Sequence, residues 1–89
     1  MKPRFTRRSQ LEIYVDILKA VLITDIPTRI QQLANIQFIH FNLKLAKLEK
    51  LGFVTVFGGK HRTILITQRG ADWVNEISEA LELVTHEHE

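Results

Sequence analysis

A group of polar residues suited to nucleic-acid chemistry falls on one predicted helix of this 89-residue chain. Glutamine can pair with adenine edges, lysine can bind guanine or phosphate, and neutral histidine can donate or accept a hydrogen bond. On a helical wheel, the helix predicted from Gln37 to Leu51 places four such residues on a face beside its apolar stripe: Gln37, His40, Lys44 and Lys47. Polar residues on an exposed helix face are also ordinary solvation, so this group alone leaves both interpretations open.

A second basic group lies at the tip of a predicted β-hairpin. Residues 53–57 and 62–67 are rich in β-branched and aromatic residues, and Gly58-Gly59 between them suits a turn that needs positive φ. The tip then carries Lys60, His61 and Arg62, which could contact phosphates or a flanking minor groove. The alternative is a charged, solvated hairpin end. We favour phosphate contact because the two glycines make the tip slim as well as basic.

Helix signals predict four helices that position these groups. Ser9 with Glu12, and Thr28 with Gln31, have the spacing of N-terminal capping boxes, and Gly52 suits a helix end. Thr67 can cap a last helix, with Gly70 allowing close packing near its start. Residues 23–27 break the first helix, and Ile26 before Pro27 is biased to extended geometry.

Apolar spacing predicts the buried face of each helix. The predicted core positions are Leu11, Tyr14, Val15, Leu18, Val21 and Leu22; Ile30, Leu33 and Ala34; and Phe38, Phe41, Leu45 and Leu48. Ile13 and Ile17 form a second strip, which we expect to meet the last helix. We expect Leu43 to pack on a neighbouring helix and leave Ile39 open between packing and thymine contact.

The last predicted helix carries an apolar stripe, or seam, of the kind that packs against another helix. Steps of three, four and three residues separate 74, 77, 81 and 84, as in a coiled-coil a/d pattern. The seam can pack on the body, on a second copy, or on both, and we favour a homodimer. The predicted dimerisation residues are Trp73, Val74, Ile77, Leu81 and Val84.

Several short motifs agree in order and separation with a known family. They are T-R-I at 28–30, A-N-I at 34–36, L-x-x-L-x-x-x-G at 45–52 and L-I-T-x-x-G at 65–70. Together they resemble archaeal winged helix-turn-helix DNA-binding proteins that dimerise through a C-terminal helix. The chain departs from them at Gln37, where a serine is usual. The resemblance implies an α+β winged helix-turn-helix fold, ordered α-β-α-α-β-β-α, with a long C-terminal helix.

Charge divides the chain into two parts. All 12 Lys and Arg residues lie within 1–71 against four acidic residues, which gives +8, whereas the six acids from Asp72 onward face no Lys or Arg. A polyanion would therefore meet the first part. We divide the chain into a flexible basic arm (1–8), a winged-helix domain (9–70), a dimerisation helix (71–85) and a frayed tail (86–89).

The composition gives little support to other classes of protein. Without cysteine there is no disulfide or thiolate site, and no Gly-rich phosphate loop or paired His and carboxylate suggests catalysis. His86 and His88 are read as solvated tail residues, so we expect no metal, no cofactor and no small-molecule substrate. No apolar run approaches a membrane span. We expect a cytoplasmic protein that is not an enzyme, and RNA binding ranks below DNA binding because no aromatic stacking sheet is evident.

The function predicted from these observations is binding of double-stranded DNA by a homodimeric transcriptional regulator or chromatin-type architectural protein. Base reading is assigned to Gln37, His40 and Lys44. Phosphate contacts are assigned to Arg29, Lys47, Lys50, Lys60, His61 and Arg62. The alternative is a winged-helix protein-interaction module without DNA binding, in which Ile39, Leu43 and Phe57 form an apolar docking patch.

Overall fold

The computed structural model describes residues 8–87, in which four helices accompany one β-hairpin. The elements are α1 (Gln10–Ile23), α2 (Pro27–Ala34), α3 (Phe38–Lys50), β1 (Val54–Phe57), β2 (Thr63–Ile66) and α4 (Gln68–Glu87). This order confirms the predicted α+β winged-helix fold. Residues 1–7 of the predicted arm and 88–89 of the predicted tail lie outside the described residues.

The predicted capping box at the start of α1 is confirmed. The Glu12 amide donates to Ser9 Oγ at 3.1 Å, and the Ser9 amide donates to Glu12 Oε1 at 2.8 Å. These two bonds satisfy amides that the first helical turn leaves free. The helix then buries Val15, Ile17 and Leu18 in the core.

The segment between α1 and α2 differs from the prediction. Residues 24–26 form no strand, and the hairpin meets them through a single backbone bond, from the Ile64 amide to the Asp25 carbonyl at 3.0 Å. The predicted capping box at Thr28 is wrong, because α2 begins one residue earlier, at Pro27, and Ile26 caps it without a side-chain bond. Proline suits a first helical position, since the amide it lacks would have no partner there.

Left-handed residues end both helices of the helix-turn-helix. Asn35 (φ 55°) follows α2, and Gly52 (φ 82°) follows α3. The Gly52 amide donates to Glu49 O at 3.0 Å and the Phe53 amide to Leu48 O at 2.9 Å. This is a Schellman ending, and it confirms Gly52 as the terminator of α3.

The hairpin is antiparallel, with Val54 opposite Ile66 and Phe57 opposite Thr63. Only the first glycine of the predicted pair is in a conformation that requires glycine. Gly58 has φ 79°, and a Cβ there would lie 2.7 Å from the carbonyl oxygen of His61. Gly59 has open space around its Cα. The loop from Gly58 to Arg62 therefore turns at Gly58.

The start of α4 is fastened to the hairpin and to the end of α3. The amide of Gly70 donates to Thr67 Oγ1 at 3.0 Å, and that hydroxyl donates to Gly52 O at 2.6 Å. A Cβ on Gly70 would overlap the carbonyl oxygen of Phe53 and lie 3.0 Å from Ile66 Cγ1. The predicted roles of Thr67 and Gly70 are confirmed, and α4 begins directly after the predicted cap, at Gln68.

One hydrophobic core joins all four helices and the hairpin. Its fully buried side chains include Ile17 and Leu18 of α1, Ile30 of α2, Phe41 and Leu48 of α3, Ile64 of β2 and Val74 of α4. Four predicted core positions, Leu11, Leu22, Leu33 and Phe38, are exposed instead, and so is Leu43, which was expected to pack on a neighbouring helix. Spacing along a helix does not show whether a neighbouring element covers such a side chain.

Candidate nucleic-acid interface

The outward face of α3 is apolar in its first half and basic in its second. Because successive residues turn by about 100°, the buried Phe41, Leu45 and Leu48 leave the opposite face to solvent. Ile39 is 64% exposed and Leu43 is 66% exposed on that face. Ala46, Lys47 and Lys50 follow them and are also exposed. We call the five residues Ile39, Leu43, Ala46, Lys47 and Lys50 the outward face of α3.

The three predicted base readers lie on the flank of α3 that faces α1. Gln37 and His40 are exposed, and with Lys44 they line a shallow cleft that also includes Gln10 and Ile13. The structure therefore brings the predicted trio together. The cleft lies beside the outward face rather than on it.

Lys44 is engaged with α1. Its Nζ donates to Gln10 Oε1 and lies 5.0 Å from the centroid of the Tyr14 ring. A cation over an aromatic face is attracted by the ring quadrupole. Lys44 thus has intramolecular partners that spacing along α3 does not reveal.

The β-hairpin with its basic loop is called the wing, and the three basic residues of that loop differ in exposure. Lys60 and His61 are exposed at the tip. Arg62 is half-buried, and its guanidinium donates to Asn42 Oδ1 at 3.3 Å. This bond holds the wing against α3. Asn42 was not among the predicted site residues, because its role depends on the hairpin folding back over α3.

A cleft separates the wing tip from the start of α2. Lys60, His61 and Arg62 line one side of it, and Pro27 and Thr28 line the other. The amides of the first turn of α2 have no side-chain cap. The cleft is therefore an electropositive part of the surface, since cations and the positive end of a helix dipole meet there.

Arg29 lies apart from the wing. It lines a different surface cleft with Ile23 and Leu33, on the side of α2 next to the end of α1. The structure thus groups Lys47 and Lys50 on α3 and Lys60 and His61 on the wing tip. Arg29 joins neither group.

Arg8, predicted as part of a flexible arm, is instead fastened to the fold. Its guanidinium donates to Asp16 Oδ2 at 2.8 Å, to Ala34 O at 2.6 Å and to Asn35 O at 2.7 Å. The two carbonyls belong to the end of α2, where helix carbonyls need donors. Arg8 therefore ties α1 to the helix-turn-helix.

The predicted dimerisation residues of α4 are partly used within the chain itself. Val74 is buried in the core, and Trp73, Ile77 and Leu81 pack half-buried against it. Trp73 stacks on Phe53, with ring centroids 5.1 Å apart. Val84 remains exposed, as does its neighbour Leu83. In a single chain the seam thus packs on the body along most of its length.

Other kinds of site find no support in the described part of the chain. Between residues 8 and 84, where the structure describes side chains, no three His, Asp or Glu side chains gather as a metal site would require. In the same range no helix is long and apolar enough to cross a membrane. These are findings on the described residues alone.

A helix-turn-helix followed by a basic hairpin that rests on the second helix of the pair defines the winged-helix class. Residues 7–85 match the family model described as "Winged helix-turn-helix", and the chain belongs to that family. A comparison with curated proteins gives no match.

Solved structures share the fold. Sso10a-2, a DNA-binding protein from Sulfolobus solfataricus, is similar with a TM-score of 0.82 and 23% identity, over 91% of this chain and 86% of that one. The transcriptional regulator BldR from Sulfolobus solfataricus has a TM-score of 0.77 and 20% identity, over 85% of this chain and 58% of its own. FabT from Streptococcus pneumoniae, solved in complex with DNA, has a TM-score of 0.65 and 14% identity, over 96% and 62%. At these identities the likeness establishes the fold alone.

Proposed function

We propose that this protein binds double-stranded DNA, with α3 in the major groove and the wing on the flanking backbone. It acts as a small regulator of transcription or as a chromatin-type architectural protein of the archaeal type. The observation that carries the proposal is the placement of exposed cations on two neighbouring projections of the fold. Lys47 and Lys50 lie on α3, and Lys60 and His61 lie on the wing tip.

The two projections suit the two kinds of DNA contact. A helix fits the major groove, where base edges are distinguishable, while a slim basic hairpin can follow phosphates or enter the minor groove beside it. Gln37 and His40 keep their exposed position at the start of α3, where winged-helix and related domains contact base edges. Lys47, Lys50, Lys60 and His61 supply phosphate contacts. Lys44, Arg62 and Arg29 contribute to DNA binding less directly, since the first two have intramolecular partners and the third lies apart.

A homodimer completes the proposal. The end of α4 exposes Leu83 and Val84, and α4 reaches Glu87. A second copy that covers these side chains would bring two α3 helices to one DNA duplex. Dimers that do so recognise half-sites about one helical turn, or 34 to 36 Å, apart.

The test of DNA binding is a fluorescence anisotropy titration of a 30-bp random-sequence duplex at 50 and 200 mM salt. Each phosphate contact releases condensed counterions, so a dimer with 6 to 10 such contacts should lose about a thousandfold or more in affinity between the two conditions. Absence of binding at 50 mM salt would contradict the proposal.

A protein-interaction module is the second candidate, favoured by the exposure of Ile39, Leu43 and Phe57. In that case the three side chains would dock on an apolar partner surface. The same titration separates the candidates, because an interaction module that does not bind DNA gives no anisotropy change at either salt concentration.

A further inference from the structure

Two large aliphatic side chains occupy the place on α3 where a DNA-binding helix is closest to the base edges. Ile39 and Leu43 are one helical turn apart, so their side chains are neighbours on the surface. They lie on the side opposite Phe41, Leu45 and Leu48, and each keeps more than 60% of its surface exposed, at 64% and 66%. Ala46, one turn further on and also exposed, extends the apolar strip without blocking access to it.

The surroundings of this strip indicate its partner. Lys47 and Lys50 continue the same face of α3, and Lys60 and His61 lie on the wing tip. Charged residues are depleted from the centres of protein interfaces, where their desolvation is costly. A polyanion, in contrast, pairs favourably with these cations. A polyanion that binds this face must also present an apolar group to Ile39 and Leu43.

Double-stranded DNA has such an apolar group in its major groove. The C5-methyl of thymine projects there and is contacted by aliphatic side chains in specific complexes. Lys44, on the α1 side of α3, is directed toward Gln10 and Tyr14. The first half of the outward face, which holds Ile39 and Leu43, therefore offers methyl groups to the groove floor.

We propose that Ile39 and Leu43 read thymine C5-methyl groups, so that the protein prefers A·T base pairs under the first half of α3. This inference rests on the proposed DNA binding and specifies which chemical feature of the DNA is recognised. It assigns the preference for thymine to the aliphatic pair and general affinity to the cations.

Uracil in place of thymine tests the inference, because it removes the methyl group and keeps the Watson–Crick and groove hydrogen-bonding groups. The probes are a 30-bp alternating A·T duplex and the matching A·U duplex, titrated by anisotropy at 50 mM salt. Each lost methyl contact weakens binding about fourfold, the factor that corresponds to burial of one such group. Wild-type protein is expected to bind the uracil duplex about 4- to 15-fold more weakly per bound protomer, for one or two methyl contacts in each.

Two variants show which residues cause the preference for thymine over uracil. Ile39→Ala/Leu43→Ala, at exposed helical positions that keep the fold, should bind both duplexes with equal affinity, close to that of the wild type on uracil DNA. Lys47→Ala should weaken binding to both duplexes by the same factor and keep the wild-type preference for thymine. Circular dichroism checks that both variants retain their helices.

Three outcomes overturn the inference, and they are distinguishable. Equal wild-type affinity for both duplexes overturns methyl reading while DNA binding stands. A thymine preference that survives in Ile39→Ala/Leu43→Ala assigns the reading to other residues and also overturns it. No binding to either duplex overturns the proposed function together with this inference.

Discussion

Single residues with backbone-defined roles were the most predictable feature of this chain. Ser9, Gly52 and Thr67 each act within a few residues of their own position, through capping bonds or a positive φ. Local spacing therefore predicts them. Thr28 shows the limit of this reasoning: its spacing to Gln31 suits a capping box, but Pro27 supplies a first helical residue and moves the start of α2.

Of the four glycines, Gly70 leaves the least room for a side chain. We expect Gly70→Ala to lower the free energy of unfolding by about 3 kcal/mol, because its Cβ would overlap the backbone of Phe53, which cannot move aside as a side chain can. Chemical denaturation measures the loss.

Gly59→Ala is the matched control for that substitution. Nothing lies within 4 Å of a Cβ there, so it should leave stability unchanged or raise it by at most about 1 kcal/mol. Similar losses for both variants would contradict the packing account of Gly70.

At the scale of elements, the helices were predictable and their exposed faces were not. Periodicity placed Phe41, Leu45 and Leu48 in the core, but it also placed Phe38 and Leu33 there, and both are exposed. Whether a marginal position is covered depends on how neighbouring helices cross. That crossing is set by contacts between residues far apart in the chain, such as Arg8 with Ala34 and Arg62 with Asn42.

The sequence assigns Lys44 to base reading, whereas the structure shows it in contact with α1. Because its ammonium group lies against Tyr14 and Gln10, we expect Lys44→Ala to cost about 1 kcal/mol of stability. Its effect on DNA affinity should be smaller than that of Lys47→Ala. Thermal unfolding and anisotropy on the same samples measure both quantities.

The opposite result would restore Lys44 as a base reader. If Lys44→Ala unfolds at the wild-type temperature and loses as much affinity as Lys47→Ala, then its contacts with α1 give way to DNA in the complex. The base-reading trio Gln37, His40 and Lys44 would then act together.

At the scale of the whole molecule, the proposed homodimer depends on the side chains that α4 leaves uncovered. In one chain α4 packs Val74, Ile77 and Leu81 toward its own core, and it leaves Leu83 and Val84 exposed near its end. We expect Val84→Lys to shift the protein from dimer to monomer in sedimentation equilibrium, because it places a charge in the proposed contact.

Lys19→Glu, at an exposed position on α1, is the control for a charge change outside that contact. It should leave the dimer unchanged. A dimer that persists in Val84→Lys, or a wild-type protein that is monomeric at all concentrations, would contradict association through this part of α4.

The central claim is that the outward face of α3 contacts DNA, and its most direct test is the salt dependence of affinity. The measurement compares wild type with Lys47→Ala/Lys50→Ala on a 30-bp duplex between 50 and 200 mM salt, with Lys19→Ala as the control. Each lost phosphate contact reduces the slope of log affinity against log salt by about one. The account predicts a slope shallower by about two per protomer in the double variant and unchanged in the control, whereas an unchanged slope in the double variant would contradict it.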